Sequence, residues 1–205
     1  TATANGGSKR VDPSLLIGTG TLDANGSITT VNAAGTTSTV SMNTGGGSGT
    51  LDLSAAGPFS LSGTGNNVIN LNGTGSTVNY SGGAQTILAT TYKNLTLSGS
   101  GVKTLTSVST IGGNFVLSGT VSAAAATNMA ISGHMTLGTG TSFNGSTFTN
   151  TVGGNLTLNG TASLTGNMNT ITGDFTISAG SSFTASNAMS ISGTLTLGSG
   201  STFNA

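Results

Sequence analysis

IGGNFVLSG from Ile111, ISGHMTLGTG from Ile131, VGGNLTLNG from Val152, ITGDFTISAG from Ile171 and ISGTLTLGSG from Ile191 are five versions of one segment, spaced 20, 21, 19 and 20 residues apart. Position 1 holds Ile111, Ile131, Val152, Ile171 and Ile191, and position 3 is always Gly (Gly113, Gly133, Gly154, Gly173, Gly193). Position 5 reads Phe115, Met135, Leu156, Phe175, Leu195; position 7 reads Leu117, Leu137, Leu158, Ile177, Leu197. Apolar residues at 1, 5 and 7 with small or polar residues between them follow the two-residue period of a strand with one buried face. A second apolar column follows a Gly-containing turn at Phe143, Leu164, Phe183 and Phe203, and a looser third one reads Met129, Phe148, Met168 and Met189. Each repeat therefore carries about three strand-like pieces.

Such a repeat is too short to close a core of its own. It makes one turn of a helix of strands, whose equivalent positions stack on the next turn at a spacing of ~4.8 Å. The expected fold is an all-β parallel β-helix, a β-solenoid with coils of ~20 residues, internal Ile, Leu and Phe ladders and outward Thr and Asn ladders. Glycines are expected at the corners, where a positive φ is needed.

Upstream the pattern loosens. Leu95, Leu97, Leu105 and Val108 supply one more coil. Between residues 18 and 90 the apolar pairs Val40/Met42, Leu51/Leu53, Ile69/Leu71 and Val78/Tyr80 recur between Gly-rich turns without a fixed coil length. At about 20 residues per turn the chain makes roughly nine or ten coils. Residues 18–205 thus read as one solenoid domain, irregular over 18–90 and regular over 91–205. Residues 1–17 lack the period, and Pro13 argues against a central strand. They read either as a frayed tail or cap on the first coil, or as an arm docking on a neighbouring subunit through Lys9, Arg10, Pro13, Leu15, Leu16 and Ile17.

Only 4% of the 205 residues are charged, against about 25% in a typical globular chain. Hydroxyls, carboxamides and backbone must therefore keep the surface wet, and a net charge of zero leaves nothing to hold copies apart. Lys9, Arg10, Lys93 and Lys103 form no basic stripe, so no nucleic-acid partner is expected. No run reaches the roughly 18 apolar residues of a membrane helix and no signal peptide is visible, so membrane insertion is not expected. A chain starting at Thr1 reads as a processed product. The absence of Cys removes disulfides, thiolate metal sites and cysteine nucleophiles.

Catalysis is not expected. The acids are Asp12, Asp23, Asp52 and Asp174, with no Glu and one His. Asp52, flanked by Leu51 and Leu53, points outward and meets Asp23 only if their coils align; a lyase-like site needs both acids and a lysine in one groove. His134 stands in the outward position-4 slot that Asn114, Asn155, Asp174 and Thr194 occupy elsewhere, and reads as a surface substitution without metal partners. Neither a metal nor a cofactor is expected. Position 6 is Val116, Thr136, Thr157, Thr176 and Thr196, a single Thr column where a flat ice-ordering face would need two.

The motifs YKNLTLSGSG from Tyr92, GNLTLNGTASL from Gly154 and SGTLTLGSGSTF from Ser192 resemble those of Gly/Thr/Asn-rich β-strand-repeat proteins of bacterial and archaeal surfaces, which include autotransporter passengers and filamentous-haemagglutinin-like adhesins. The resemblance covers residues 91–205 and implies a right-handed parallel β-helix, secretion and an adhesive or scaffold role. It carries over no catalytic residue. The final stretch TLTLGSGSTFNA shows no capping element, and an uncapped coil that includes Phe203 invites stacking. The expected function is accordingly a structural subunit of an extracellular, cell-surface filament that assembles with itself. The alternatives are an adhesin segment binding glycans or surfaces, then an ice-binding protein or a polysaccharide-active enzyme.

Overall fold

The computed structural model describes residues 2–4, 9–11, 14–42 and 46–205, with only the backbone described for 2–4 and 9–11. Among them there is no helix, and every strand pairing is parallel. The fold is an all-β, solenoid-like stack of parallel strands.

One sheet of ten strands runs through the whole molecule, from Ala2–Ala4 through Gly20–Ala24, Gly49–Leu53, Thr77–Tyr80 and Asn94–Leu97 to Leu195–Leu197. At ~4.8 Å per strand it is about 43 Å long. Partners along this long sheet are Ala2, Leu22, Leu51, Val78, Leu95, Phe115, Met135, Leu156, Phe175 and Leu195. The intervals are wide between Leu22, Leu51 and Val78, narrow between Val78 and Leu95, and regular beyond.

A second sheet of seven strands begins at Gln85–Ile87 and a third of five at Thr110–Ile111; together with the long sheet they enclose the regular windings. The wide windings close instead with two three-stranded sheets, which end at Phe59–Gly63 and Asn66–Asn70. Where wide windings give way to narrow ones these two strands have a single neighbour each, and Leu61 and Val68 are exposed.

The apolar columns line the interior. Ile111, Ile131, Val152, Ile171, Phe115, Met135, Leu156, Phe175, Leu117, Leu137, Leu158, Ile177, Phe143, Leu164 and Phe183 are all buried. In the last winding Ile191 and Phe203 are half-buried, while Leu195 and Leu197 are 36% and 52% exposed. Phe183 stacks on Phe203 at 5.5 Å between ring centroids, and Phe175 meets Phe183 edge-on at 5.1 Å.

Three expectations are corrected. Residues 2–4, 9–11 and 14–17 form neither tail nor arm: they are strands registered with Leu22–Ala24, Ile28–Thr30 and Thr39–Met42, so the segment is a first winding. Its apolar content was too small to show the period. Pro13 lies outside the described residues, as do the side chains of Lys9 and Arg10. The third column is not Met129, Phe148, Met168 and Met189, because Met129 pairs with Asn150. Buried Asn150 donates its Nδ2 to Gly145 O, Phe148 O and Asn167 O at 2.8, 3.1 and 2.9 Å, so hydrogen bonds hold the loop that an apolar side chain was expected to pack against.

The glycines, third, fall into two columns with different causes. Gly99, Gly119, Gly140, Gly160, Gly180 and Gly200 take positive φ at the corner after position 7, as expected. The position-3 glycines do not. They are small because the position-4 side chain of the preceding winding occupies the space of their Cβ: a Cβ on Gly154 would lie 2.7 Å from His134 Nδ1 and 2.8 Å from Gly133 O.

Candidate functional site

The same crowding builds the outer face of the long sheet. Each position-4 side chain accepts the backbone N–H of position 4 one winding on. Asn114 N donates to Asn94 Oδ1 (2.9 Å), His134 N to Asn114 Oδ1 (2.9 Å), and Asn155 N to His134 Nδ1 (2.9 Å). Asp174 N then donates to Asn155 Oδ1 (3.0 Å) and Thr194 N to Asp174 Oδ1 (2.8 Å). Asn, Asp and His share an acceptor at the same distance from Cβ, which explains how His134 enters an Asn/Asp column; its Nδ1 is the acceptor and so carries no proton. Position 4 is thus a backbone-capping ladder, and Gly at position 3 is its necessary partner. Beside it runs the half-buried column Thr96, Val116, Thr136, Thr157, Thr176, ending at exposed Thr196. A shallow concavity of about 330 Å³ lies over Asn114, Val116, His134, Thr136, Asn155 and Thr157.

Upstream the Thr column turns acidic. Asp23 and Asp52 are register partners on adjacent strands, followed by Asn79. Asp52 accepts from Asn79 Nδ2 at 3.4 Å and from Ser81 Oγ. The alignment that the sequence left conditional is therefore met, although the wide windings between the two acids hid it. Among the described side chains no lysine joins them. Lys93 Nζ donates to Gly112 O at 2.9 Å, and Lys103 is turned inward in the second sheet. Among the described residues no three His, Cys, Asp or Glu side chains gather as metal ligands, and no helix is long and apolar enough to cross a membrane.

Two buried polar clusters that sequence reading missed hold the step from wide to narrow windings. Lys103 has no exposed surface and donates to Gly82 O (2.7 Å), Gly83 O (2.8 Å) and Gln85 Oε1 (2.5 Å). Gln85, its register partner, donates to Leu53 O (2.7 Å) and Ala55 O (2.8 Å) and accepts from Gly82 N (3.0 Å). Gln85 belongs to the first strand of the second sheet, so this network closes that sheet's open end with polar partners. The signal was present: Lys103 stands two residues before inward Leu105 and so occupies an inward slot. In the second cluster three hydrogen bonds close a ring: Leu88 N donates to Tyr80 Oη (3.2 Å), Tyr92 Oη donates to Leu88 O (2.6 Å), and Tyr80 Oη, left with its proton, donates to Tyr92 Oη (2.9 Å).

Burial pushes Lys103 down to about 8 and Tyr80 up to about 12, and it raises Tyr92 well above its usual value. Between pH ~8 and ~10.5 the unfolded chain holds more protons at Lys103 than the folded one, so Lys103 makes stability rise with pH in that window. From pH 10 upward the unfolded tyrosines ionise first, and stability falls. Tyr80 alone accounts for a loss of about 2 kcal/mol by pH 12. Urea unfolding from pH 7 to 12 should show a maximum near pH 10; a monotonic fall from pH 8 would contradict this assignment.

The two ends complete the surface. At one, Leu15, exposed Leu16 and Ile17 line an apolar cleft of about 200 Å³ with Thr21 and Leu22. At the other lie Leu195 and Leu197. The strands Ala2–Ala4 and Leu195–Leu197 each have one neighbour in the long sheet.

Fold and site together define a parallel, solenoid-like all-β protein whose outer face is capped by its own side chains. No protein family, curated protein or solved structure was found to match the chain.

Proposed function

We propose that this protein is a structural subunit of an extracellular, cell-surface filament, assembled by stacking solenoid ends, with right-handed windings of about 20 residues in its regular part. The observation that carries the reading is the unbroken ten-strand parallel sheet, whose register columns any further winding of the same kind extends unchanged. One more winding over Leu195 and Leu197 would bury the 36% and 52% of their surface still in water, worth roughly 0.5–1.5 kcal/mol each, and would pair a row of open backbone groups. Near-absence of charge supports association, and a hydroxyl and carboxamide surface suits the resemblance to secreted repeat proteins. Right-handedness rests on the rule that parallel strand–crossover–strand connections take that hand in about 98% of cases.

A structural role is favoured over a lyase-like one because, among the described side chains, no lysine stands beside the aligned acids. Electron microscopy and sedimentation of concentrated protein should show fibres, and the Leu195→Asp/Leu197→Asp variant should remain monodisperse. Wild-type protein that stays monodisperse at every concentration would sink the filament reading. A second reading, glycan binding, is favoured by the concavity over Asn114, His134, Thr136, Asn155 and Thr157, whose carboxamides, imidazole and hydroxyls suit sugar hydroxyls. Retention of the monodisperse variant on a carbohydrate array tests it.

A further inference from the structure

Lys103 is a buried cation without a counter-ion. Its side chain has no exposed surface, and its three N–H groups go to Gly82 O (2.7 Å), Gly83 O (2.8 Å) and Gln85 Oε1 (2.5 Å), none of them charged. Among the described residues no carboxylate pairs with it: Asp23 and Asp52 stand on the outer face of the long sheet, and Asp174 accepts from Thr194 N. Burial without a counter-ion pushes Lys103 down to about 8, so a neutral, nucleophilic amine is populated at mildly alkaline pH.

The carboxamide beside it is held in place. Gln85 is the register partner of Lys103 on the adjacent strand. Its Nε2 donates to Leu53 O (2.7 Å) and Ala55 O (2.8 Å), which fixes the orientation of the amide and leaves Oε1 to accept from Lys103 Nζ and from Gly82 N (3.0 Å). With a C=O bond of ~1.23 Å, Nζ lies within ~3.7 Å of Gln85 Cδ. That is close to the ~3–3.5 Å of a near-attack arrangement. The proton pointing at Oε1 is the one whose loss matters: once it is gone the lone pair takes its direction, while Gly82 O and Gly83 O keep the other two.

We propose that Lys103 and Gln85 join in an intramolecular isopeptide bond, a covalent staple between two windings of a chain that has no Cys. Lys103, having given one proton to water, forms a bond from Nζ to Gln85 Cδ. The carbonyl electron pair moves onto Oε1, where Gly82 N–H stabilises the oxyanion. As the C=O reforms, the Cδ–Nε2 bond breaks, and Nε2 leaves with its electron pair and a proton from Nζ as ammonia. In water the ammonia takes up the proton that Lys103 gave, so no co-reactant is consumed. The product removes the buried charge and closes a loop from residue 85 to 103 at the first strand of the second sheet, where the windings narrow. The hydrogen-bonded network is the freshly folded state, and the link does not depend on filament assembly.

Wild-type protein held at pH ~9 should fall one ammonia below the mass of its sequence, roughly tenfold faster than at pH ~7. After denaturation trypsin should no longer cut behind Lys103, and a branched peptide should join the segments that hold Gln85 and Lys103. Asn–Gly turns such as Asn72–Gly73 also shed ammonia, as succinimides, but these reopen in alkaline water and carry no branch. Aged protein should also lack the rise in stability between pH ~8 and ~10.5, since its Lys103 no longer titrates. Gln85→Glu, which keeps the shape and gives Lys103 a counter-ion, should fold by circular dichroism and form no link. Wild type held at pH ~9 in urea should form none either, because the unfolded chain does not hold the two side chains together. Unimpaired cleavage behind Lys103 in aged folded protein, or the same branched peptide from urea-unfolded protein, overturns the proposal.

Discussion

Lys103→Ala should lower the unfolding free energy by about 2–4 kcal/mol, because it removes a fully buried side chain together with three hydrogen bonds from a charged donor. Gly82 O, Gly83 O and Gln85 Oε1 all lose their ammonium donor at once; Gln85 Oε1 keeps the Gly82 N–H, while Gly83 lies at the surface. The side chain's stem adds a cavity. Lys103→Met restores most of the volume and none of the donors, so it should recover less than half of the loss. Chemical denaturation of the three proteins reads the difference directly, and amide exchange should locate it at residues 80–105, where the winding narrows. A Lys103→Met variant as stable as wild type would show that the three hydrogen bonds contribute nothing beyond packing. Against a total stability on the order of 5–15 kcal/mol, the alanine variant is marginal.

Gly154→Ala should cost about 3 kcal/mol or more, although alanine is merely one methyl larger. The added Cβ would come 2.7 Å from His134 Nδ1, 2.8 Å from Gly133 O and 2.9 Å from Gly133 C. Two of these atoms are backbone, so no side-chain rotation relieves the contact, and overpacking of this kind costs about 1–3 kcal/mol. Pushing His134 aside also breaks its bond to Asn155 N, another ~1 kcal/mol. Gly140→Ala provides the contrast: its φ is +79° with nothing nearer than 3.5 Å, so only the left-handed backbone is penalised, by about 1–2 kcal/mol. Thermal unfolding of both variants separates crowding from backbone strain. Equal losses would mean that the position-3 glycines are retained for their backbone freedom after all.

The two predictions mark two levels of legibility. The glycine at position 3 was visible as a column, but its cause was not, since it lies in a side chain one winding away. His134 was placed correctly in an outward slot, yet its acceptor role appears only when Asn155 N is seen above it. Lys103 was read only as one of four cations that form no basic stripe. Its strand alternation placed it inward, and composition alone gave no reason to look there.

By itself the sequence determined the two-residue alternation and the recurring columns from Ile111 to Phe203, and with them which side chains face in: apolar groups spaced for a strand can be buried on one face only. Tertiary structure alone decided that residues 2–4, 9–11 and 14–17 are strands of a first winding, that Asp23 stands beside Asp52, that Gln85 receives Lys103, and that Asn150 takes the slot expected for Phe148. In each case the partners are separated by windings of unequal length. No local period fixes which residues stack there; the register is set by the summed packing and hydrogen bonding of whole windings, a long-range quantity that no segment carries alone.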